Sequence, residues 1–466
     1  MEITRRNALL LTGSGLLQSC STFGSTRRDA DVIIIGAGLS GLAAARHLEA
    51  KGIKTVVLEA SDRIGGRMHT LYDLPGTPEA GGAQVGQSYT RLRTIAAEVG
   101  IYFRPSAAPR TVGRTFAYKG SVFHSEEWAE RPSNPFPEPL KSVAPDRVLF
   151  ASSARSNPLK DIDQWRQATA SADISVEQFL KDQGFSSDAI SLTNIALNAN
   201  DVSTYSMVNV WRSMLLFGRD SALGGPEYIV GGSQRLPEAM AADLDDPVKL
   251  SEIVRGVSFE SNGVQVDTNN GSYTADFVIA AIPFPALKRI EITPALPMQQ
   301  QSAIAQLPYT QIQKVHLTFD NEFWKQDGLP ISMWTDTPIE RVFPTHDLRT
   351  GELSGLMCWI NGKGVRTSAT DKDWFELAET TMRELRGANT RGIKVVRWDS
   401  EQPLSGGAYM HWAPGQIGSW AAEMGKHYGR LYFAGEHLSQ THTGMEGAIQ
   451  SGELAAEQIL ERAKSI

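Results

Sequence analysis

Gly36, Gly38 and Gly41 stand in G-x-G-x-x-G spacing, and an acid, Glu59, closes the next apolar run. That combination suits the binding of a dinucleotide. The first glycine permits a tight turn, the second lets a pyrophosphate approach the backbone, and the third lets a helix pack on a strand. The N–H groups of Leu39 and Ser40 then open a helix whose positive end faces the phosphate. Glu59 falls where a carboxylate accepts from an adenosine ribose. The elements that must hold these groups follow from the sequence around them. Val32–Ile35 is a β-branched run, as in a parallel strand buried on both faces, Leu39–Glu49 reads as a helix, and Thr55–Leu58 as a second strand.

Composition bounds the class. With 466 residues, 41% of them hydrophobic, the chain can bury a large core and divide into two domains. A net charge of −7 without a basic run argues against a nucleic-acid partner. Cys20 and Cys358 are the two cysteines, which excludes a disulfide framework or a cysteine-rich metal site. No apolar stretch reaches the length of a membrane-spanning helix. Near the N-terminus, Thr4-Arg5-Arg6-Asn7 precedes an uncharged run over residues 8–17 and resembles a twin-arginine export signal. Leu17-Gln18-Ser19-Cys20 is similar to a lipoprotein cleavage box, with Cys20 as the lipidated residue, although Gln18 is larger than that box usually carries. These segments imply a periplasmic protein with a lipid anchor at Cys20. Residues 21–29 form a polar tether, so the folded part begins near Ala30.

Residues 79–86 form a glycine-rich turn into a helix with Leu92, Ile95, Ala96 and Val99 on one face. Residues 162–217 read as largely helical, where a substrate lid or pocket wall is expected. Then come a helix over 236–244, a strand over 248–250, and a meander over 257–275 turning at Asn262-Gly263 and Asn270-Gly271. Residues 276–281 form a buried strand. Residues 311–320 alternate polar and apolar, which predicts a strand with one buried face and Lys314 on the wet one. A strand over 355–360 and a helix over 374–385 follow.

Three C-terminal stretches carry a family resemblance: Ser405-Gly406-Gly407-Ala408-Tyr409; a strand closing in Gly435-Glu436; and Thr443-Gly444-Met445-Glu446-Gly447, opening a helix to Ala463. Together with Arg63-Ile64-Gly65-Gly66-Arg67, they make residues 30–463 resemble the flavin monoamine oxidase family, which includes monoamine and polyamine oxidases. The resemblance implies FAD. In it, Arg67 would meet the diphosphate with its guanidinium. Gly81, Gly82, Ala83 and Gln84 would run beside the flavin, and the Val254 backbone would contact adenine. Gly435 and Glu436 would contact the ribityl–diphosphate part. Met445 would present its N–H, at a positive helix end, to the flavin pyrimidine. Trp398 would lie against the isoalloxazine, Lys314 would hold a water near flavin N5, and Tyr409 would form one wall of an aromatic cage for the amine. Ala408 stands where mammalian members carry the cysteine bonded to flavin, so FAD is expected to bind non-covalently. Ser61 replaces a frequent arginine. The second cage aromatic has no counterpart, which leaves His442, Thr441 or a residue of the helical insert to face Tyr409.

The fold implied is α/β (α+β overall). Residues 30–100, 226–290 and 395–466 would form a Rossmann-like FAD-binding domain of the glutathione-reductase type. Residues 101–225 and 291–394 would form an inserted substrate domain of mixed sheet and helices. The reaction implied is oxidation of an amine C–N bond to an iminium, hydrolysed to aldehyde or ketone plus amine or ammonia. O2, yielding hydrogen peroxide, or a periplasmic electron-carrier protein would reoxidise the flavin. A homodimer is common among such flavoproteins. An L-amino acid oxidase is the rival. Those enzymes usually hold the substrate carboxylate with an arginine after the second glycine-rich turn, and residues 81–86 contain none. Arg91 and Arg93 fall on a helix, so amines are favoured.

Overall fold

Four short apolar strands form a parallel sheet in the computed structural model, which describes residues 28–105 and 113–464. Their order is Leu431–Phe433, Phe277–Ala280, Val32–Ile35, Thr55–Leu58, and every residue in them is buried. Near-continuous apolar sequence is what a sheet covered on both faces requires. On one face, Ile34, Val57 and Ile279 pack with Leu42 of helix Leu39–Glu49 and with Ile449 and Ile459 of helix Gly444–Ala463. On the other, Ile33, Val56 and Val278 meet Val257, Phe259 and Val266 of the predicted meander. The two helices approach at backbone distance, since a Cβ on Gly452 would overlap the Ser40 carbonyl. The twin-arginine segment and Cys20 lie outside the described residues.

One predicted strand is absent. Residues 248–250 contribute a single bridge, Leu58↔Lys249. Pro247 before it lacks an N–H, and Ser251 after it turns away at φ 59°, so the ladder cannot extend. The helical stretch is resolved into Val176–Asp182, Ser187–Ala196 and Met207–Ala222, each opened by a serine whose side chain accepts from a first-turn N–H (Ser175, Ser186, Ser206).

A seven-stranded sheet, ordered Thr390–Trp398, Ile312–Phe319, Leu353–Asn361, Arg341–His346, Met333–Thr335, Thr115–Tyr118, Ser121–His124, forms the other half. Here the wet-face expectation for Lys314 fails. Ile312 to Leu317 are all buried. Val315 and Leu317, with Val342 and Cys358, face Trp374, Ala378 and Met382 of helix Asp371–Arg386. The polar face is covered too, because it forms a wall of an internal cavity. Alternation in this strand separates core from cavity, not core from solvent.

Helix Gly444–Ala463 is tied sideways by a buried acid. The Glu446 carboxylate accepts the Arg91 and Leu92 N–H groups, both at 3.0 Å, at the start of helix Thr90–Glu98. It thereby satisfies two of that helix's orphan donors. Glu446→Ala is expected to cost about 2 kcal/mol and several degrees in Tm, and Glu446→Gln less, because it keeps an acceptor. Thermal melts of both variants check this; an unchanged Tm in Glu446→Ala would refute it.

Candidate functional site

A cavity of about 1310 Å³ runs between the two sheets. It begins at the carboxyl edge of the parallel sheet, where Gly36, Glu59, Ala281 and Gly435 follow their strands, the usual ligand position in such sheets. Gly36, Gly38, Leu39, Ser40, Glu59, Arg67, Gly82, Ala83, Gln84, Val254, Lys314, Trp398, Tyr409, Gly435, Glu436 and Met445 all line it. Gly41 packs behind it, where a Cβ would overlap the Gly36 carbonyl. His442 does not belong to the lining. It is buried behind the loop, with Nε2 2.5 Å from Arg219 and its ring 5.8 Å from that of Tyr89. The expectation that His442 faces Tyr409 is therefore corrected. The carbonyl of His442 is taken by the buried Arg212, at 2.6 Å, which fixes this loop away from the cavity.

Two helix N-termini open on the cavity without side-chain caps, at Gly38 and at Thr443. Nothing lies within 4 Å of a Cβ built on Gly38. Uncapped N–H groups over open space form a ready anion cradle, so these residues fit a dinucleotide diphosphate at one end. They fit an electron-rich carbonyl at the other. Glu59 already accepts the Ala37 N–H at 2.8 Å and the Ser61 N–H at 2.9 Å. Its position is thus fixed while Oε2, with one donor, keeps a lone pair available. Ser61 has a use of its own, donating to Glu59 at 2.8 Å or to the Arg63 carbonyl at 2.7 Å. Arg63 staples the following loop through the Gly66 carbonyl at 2.6 Å. Arg67 commits one nitrogen to Glu436, at 2.8 Å, and to the Ala408 carbonyl, at 3.1 Å. Ala408 lines the cavity, whereas Cys358 sits on the opposite face of the large sheet. No thiol is placed to bond a flavin among the described residues.

In the large sheet, Lys314, Trp359 and Arg341 form one row across three strands in register, and His316, Met357 and Phe343 form the next. All six line the cavity. Lys314 Nζ donates to the Ala80 carbonyl at 2.7 Å and the Glu79 carbonyl at 3.3 Å, and stands 4.6 Å from the Trp359 ring centre. Two carbonyls leave the third ammonium N–H without a hydrogen-bond acceptor among the described residues. Burial pulls Lys314 down to about 8, opposed by the Glu79 charge. Burial lifts the Glu79 carboxyl to about 7, against hydrogen bonds from Ser233 and Thr70. The Trp398 indole donates to the same Ala80 carbonyl at 2.9 Å. Tyr409 donates its hydroxyl to the Asn198 carbonyl at 3.2 Å. Burial raises its pKa, so it stays neutral.

Sequence reasoning missed Trp359, Phe343, Arg341 and Asn198. A signal existed for the first three. Residues 341–346 and 353–361 could be aligned as strands beside 312–319, which places their alternate residues on the face of Lys314.

Known proteins resemble this chain over most of its length. The family model described as "Flavin containing amine oxidoreductase" matches residues 39–460. An L-amino acid dehydrogenase of Synechocystis sp. is 27% identical, the alignment covering 92% of this chain and 94% of that protein. Amine oxidase [flavin-containing] B of Homo sapiens is 27% identical, covering 92% and 86%. The solved structure of cyclohexylamine oxidase from Brevibacterium oxydans shares the mixed α/β fold, with a TM-score of 0.77, 24% identity, and coverage of 94% of this chain and 100% of that one.

Glu59→Ala removes a charged acceptor from the cradle and frees the Ala37 N–H. FAD affinity is expected to fall about tenfold to a hundredfold. Reconstitution of apoprotein, followed by protein fluorescence, reads the dissociation constant directly.

Proposed function

Because the chain belongs to the flavin-containing amine oxidoreductases, we propose that it oxidises the C–N bond of a small amine to an imine. Water then hydrolyses the imine to a carbonyl compound plus ammonia or an amine. FAD, when bound, supplies the acceptor for the hydride equivalent leaving the α-carbon. The observation that carries the reading is Lys314: buried, without an acid in ion-pair distance among the described residues, and holding one spare donor toward a cavity walled by Trp359, Trp398 and Tyr409.

In this reading, residues 30–100, 226–290 and 395–466 form a Rossmann-like FAD-binding domain of the glutathione-reductase type. Residues 101–225 and 291–394 hold the substrate. The glycine loop, Glu59, Arg67 and Met445 hold FAD non-covalently, and Val254 meets the adenine. Tyr409 and Trp359 orient the amine by their faces, and the walls exclude water. Protonated, Lys314 holds a water by its third N–H; neutral, with two N–H groups on the Glu79 and Ala80 carbonyls, it accepts from that water by its lone pair. The developing iminium is a cation, so a protonated Lys314 opposes it and a neutral one does not.

The acceptor that closes the cycle is O2, giving hydrogen peroxide, or an electron-carrier protein. We further read residues 1–29 as a twin-arginine signal and tether, with export to the periplasm, a lipid at Cys20, and a homodimeric folded part. Arg5, Arg6 and the cleavage-box sequence support export and lipidation; the dimer is by analogy with similar flavoproteins.

Purified protein lacking the signal is expected to release yellow FAD into the supernatant on acid precipitation and to bleach anaerobically with a C–N substrate. Colour left in the pellet would sink non-covalent binding, and a flavin that no amine or amino acid reduces would sink the oxidation reading. With a weakly basic amine that is neutral throughout, the reduction rate is expected to rise as pH passes about 8, because Lys314 then loses its proton. Lys314→Met should lose that limb and slow the reaction roughly tenfold or more. Stopped-flow pH profiles of both proteins decide it.

A further inference from the structure

Arg341 is buried, at 8% exposure, yet it lines the cavity. Its Nη2 donates to the Asn198 side-chain oxygen at 3.0 Å, while its Nε is buried without an acceptor. Its guanidinium carbon stands 5.8 Å from the Trp359 ring centre. The acids around it are occupied. Glu340 accepts the Asn361 backbone and side-chain N–H groups at 2.9 and 3.3 Å, and Asp146 is paired with Arg114. No carboxylate lies within 4.0 Å of the Arg341 nitrogens among the described residues.

A buried donor with nothing to donate to is costly, and a buried cation without a counter-ion more so. Arg341 therefore marks a place for an anion that arrives through the cavity. Its planar fork matches a carboxylate. Asn198 holds Arg341 by its side chain and accepts the Tyr409 hydroxyl by its backbone oxygen, so one residue ties the cation to the aromatic ring. Lys314 stands in the same row, two strands away, roughly 10 Å between backbones. That spacing accommodates a small molecule with its amine toward Lys314 and its acid toward Arg341.

We propose that the substrate is an amino acid and that Arg341 is the specificity-determining residue that takes its carboxylate. The inference rests on the C–N oxidation reading and changes only what else the substrate bears. The C–N unit gives up two electrons and two protons to the acceptor; water then adds, leaving a 2-oxo acid and ammonia. The arginine comes from strand Arg341–His346, not from the glycine-rich turn where its absence favoured simple amines.

The test mixes holoenzyme anaerobically with phenylalanine, leucine and lysine, as both enantiomers, each beside the amine left when its carboxyl is removed. Flavin bleaching is timed against concentration. Amino acids are expected to bleach the wild type at lower concentration than their amines. Arg341→Met should raise the amino acid requirement about tenfold to a hundredfold and leave the amines unchanged, with the flavin band retained as evidence of folding. Benzoate, which cannot be oxidised, should shift the visible spectrum of wild type but not of Arg341→Met, and Arg341→Lys should restore the shift in part. Bleaching by amines and not amino acids, or an Arg341→Met variant that treats both alike, overturns the proposal while C–N oxidation stands. Bleaching by neither overturns the oxidation reading, and an Arg341-dependent benzoate shift would then still support the carboxylate site.

Discussion

The Ala80 carbonyl oxygen accepts Lys314 at 2.7 Å from the large sheet and Trp398 at 2.9 Å from its neighbouring strand. That shared acceptor fixes how the cavity is closed. A lysine without an acid in ion-pair distance is tolerated in a buried wall only if its hydrogen bonds are met and its proton is loosely held. Ala80 provides the first condition, and burial produces the second. The position of Ala80 depends in turn on its neighbour. Glu79 is clamped by the Ser233 N–H at 2.6 Å and the Thr70 hydroxyl at 3.0 Å, so the glycine-rich turn cannot swing away from the sheet. Glycine at 81 lets the indole of Trp398 lie against the backbone, where a Cβ would come within 3.2 Å of the ring.

The parallel half of the fold was legible because local signals and global demands coincide there. A buried parallel strand must be apolar throughout, a phosphate turn must carry glycine, and both constraints act on consecutive residues. Strands 32–35, 55–58 and 277–280 and the helices after Gly38 and Thr443 were readable for that reason. The cavity wall obeys a different rule. Its residues are neighbours only across strands, so Trp359 and Arg341 gain meaning from the register with Lys314, which no single stretch encodes. The same gap misled the reading of residues 311–320. Period-two alternation states that two faces differ and does not say what covers the polar one. His442 failed for the opposite reason. It is adjacent in sequence to the helix start that lines the cavity, but the Arg212 guanidinium holds its carbonyl from behind.

Electrostatically, the cavity is divided. At the parallel sheet, Arg67 is matched by Glu436 and Arg63 has all its bonds on backbone carbonyls of its own loop. In the large sheet, Lys314 and Arg341 have no ion-pair partner among the described residues, feel Glu79 and Glu340 only from a distance, and rely on carbonyls, an amide and aromatic faces. Matched charges hold a loop in place whatever is bound. Unmatched ones make the wall selective for what enters, because their unmet hydrogen bonds penalise the wrong occupant.

The strand order of the parallel sheet also governs when the protein can assemble. Leu431–Phe433 pairs with Phe277–Ala280, which pairs with Val32–Ile35, and helix Gly444–Ala463 seals the face that helix Leu39–Glu49 leaves open. The glycine loop is made first and its covering helix last. The cradle therefore rests on pairings between residues hundreds of positions apart, a non-local arrangement that is slow to form and leaves apolar strand edges exposed until it does. A chain lacking residues 431–463 would lose an edge strand and a covering helix of the same sheet that carries the glycine loop, so the two ends of the sequence stand or fall together.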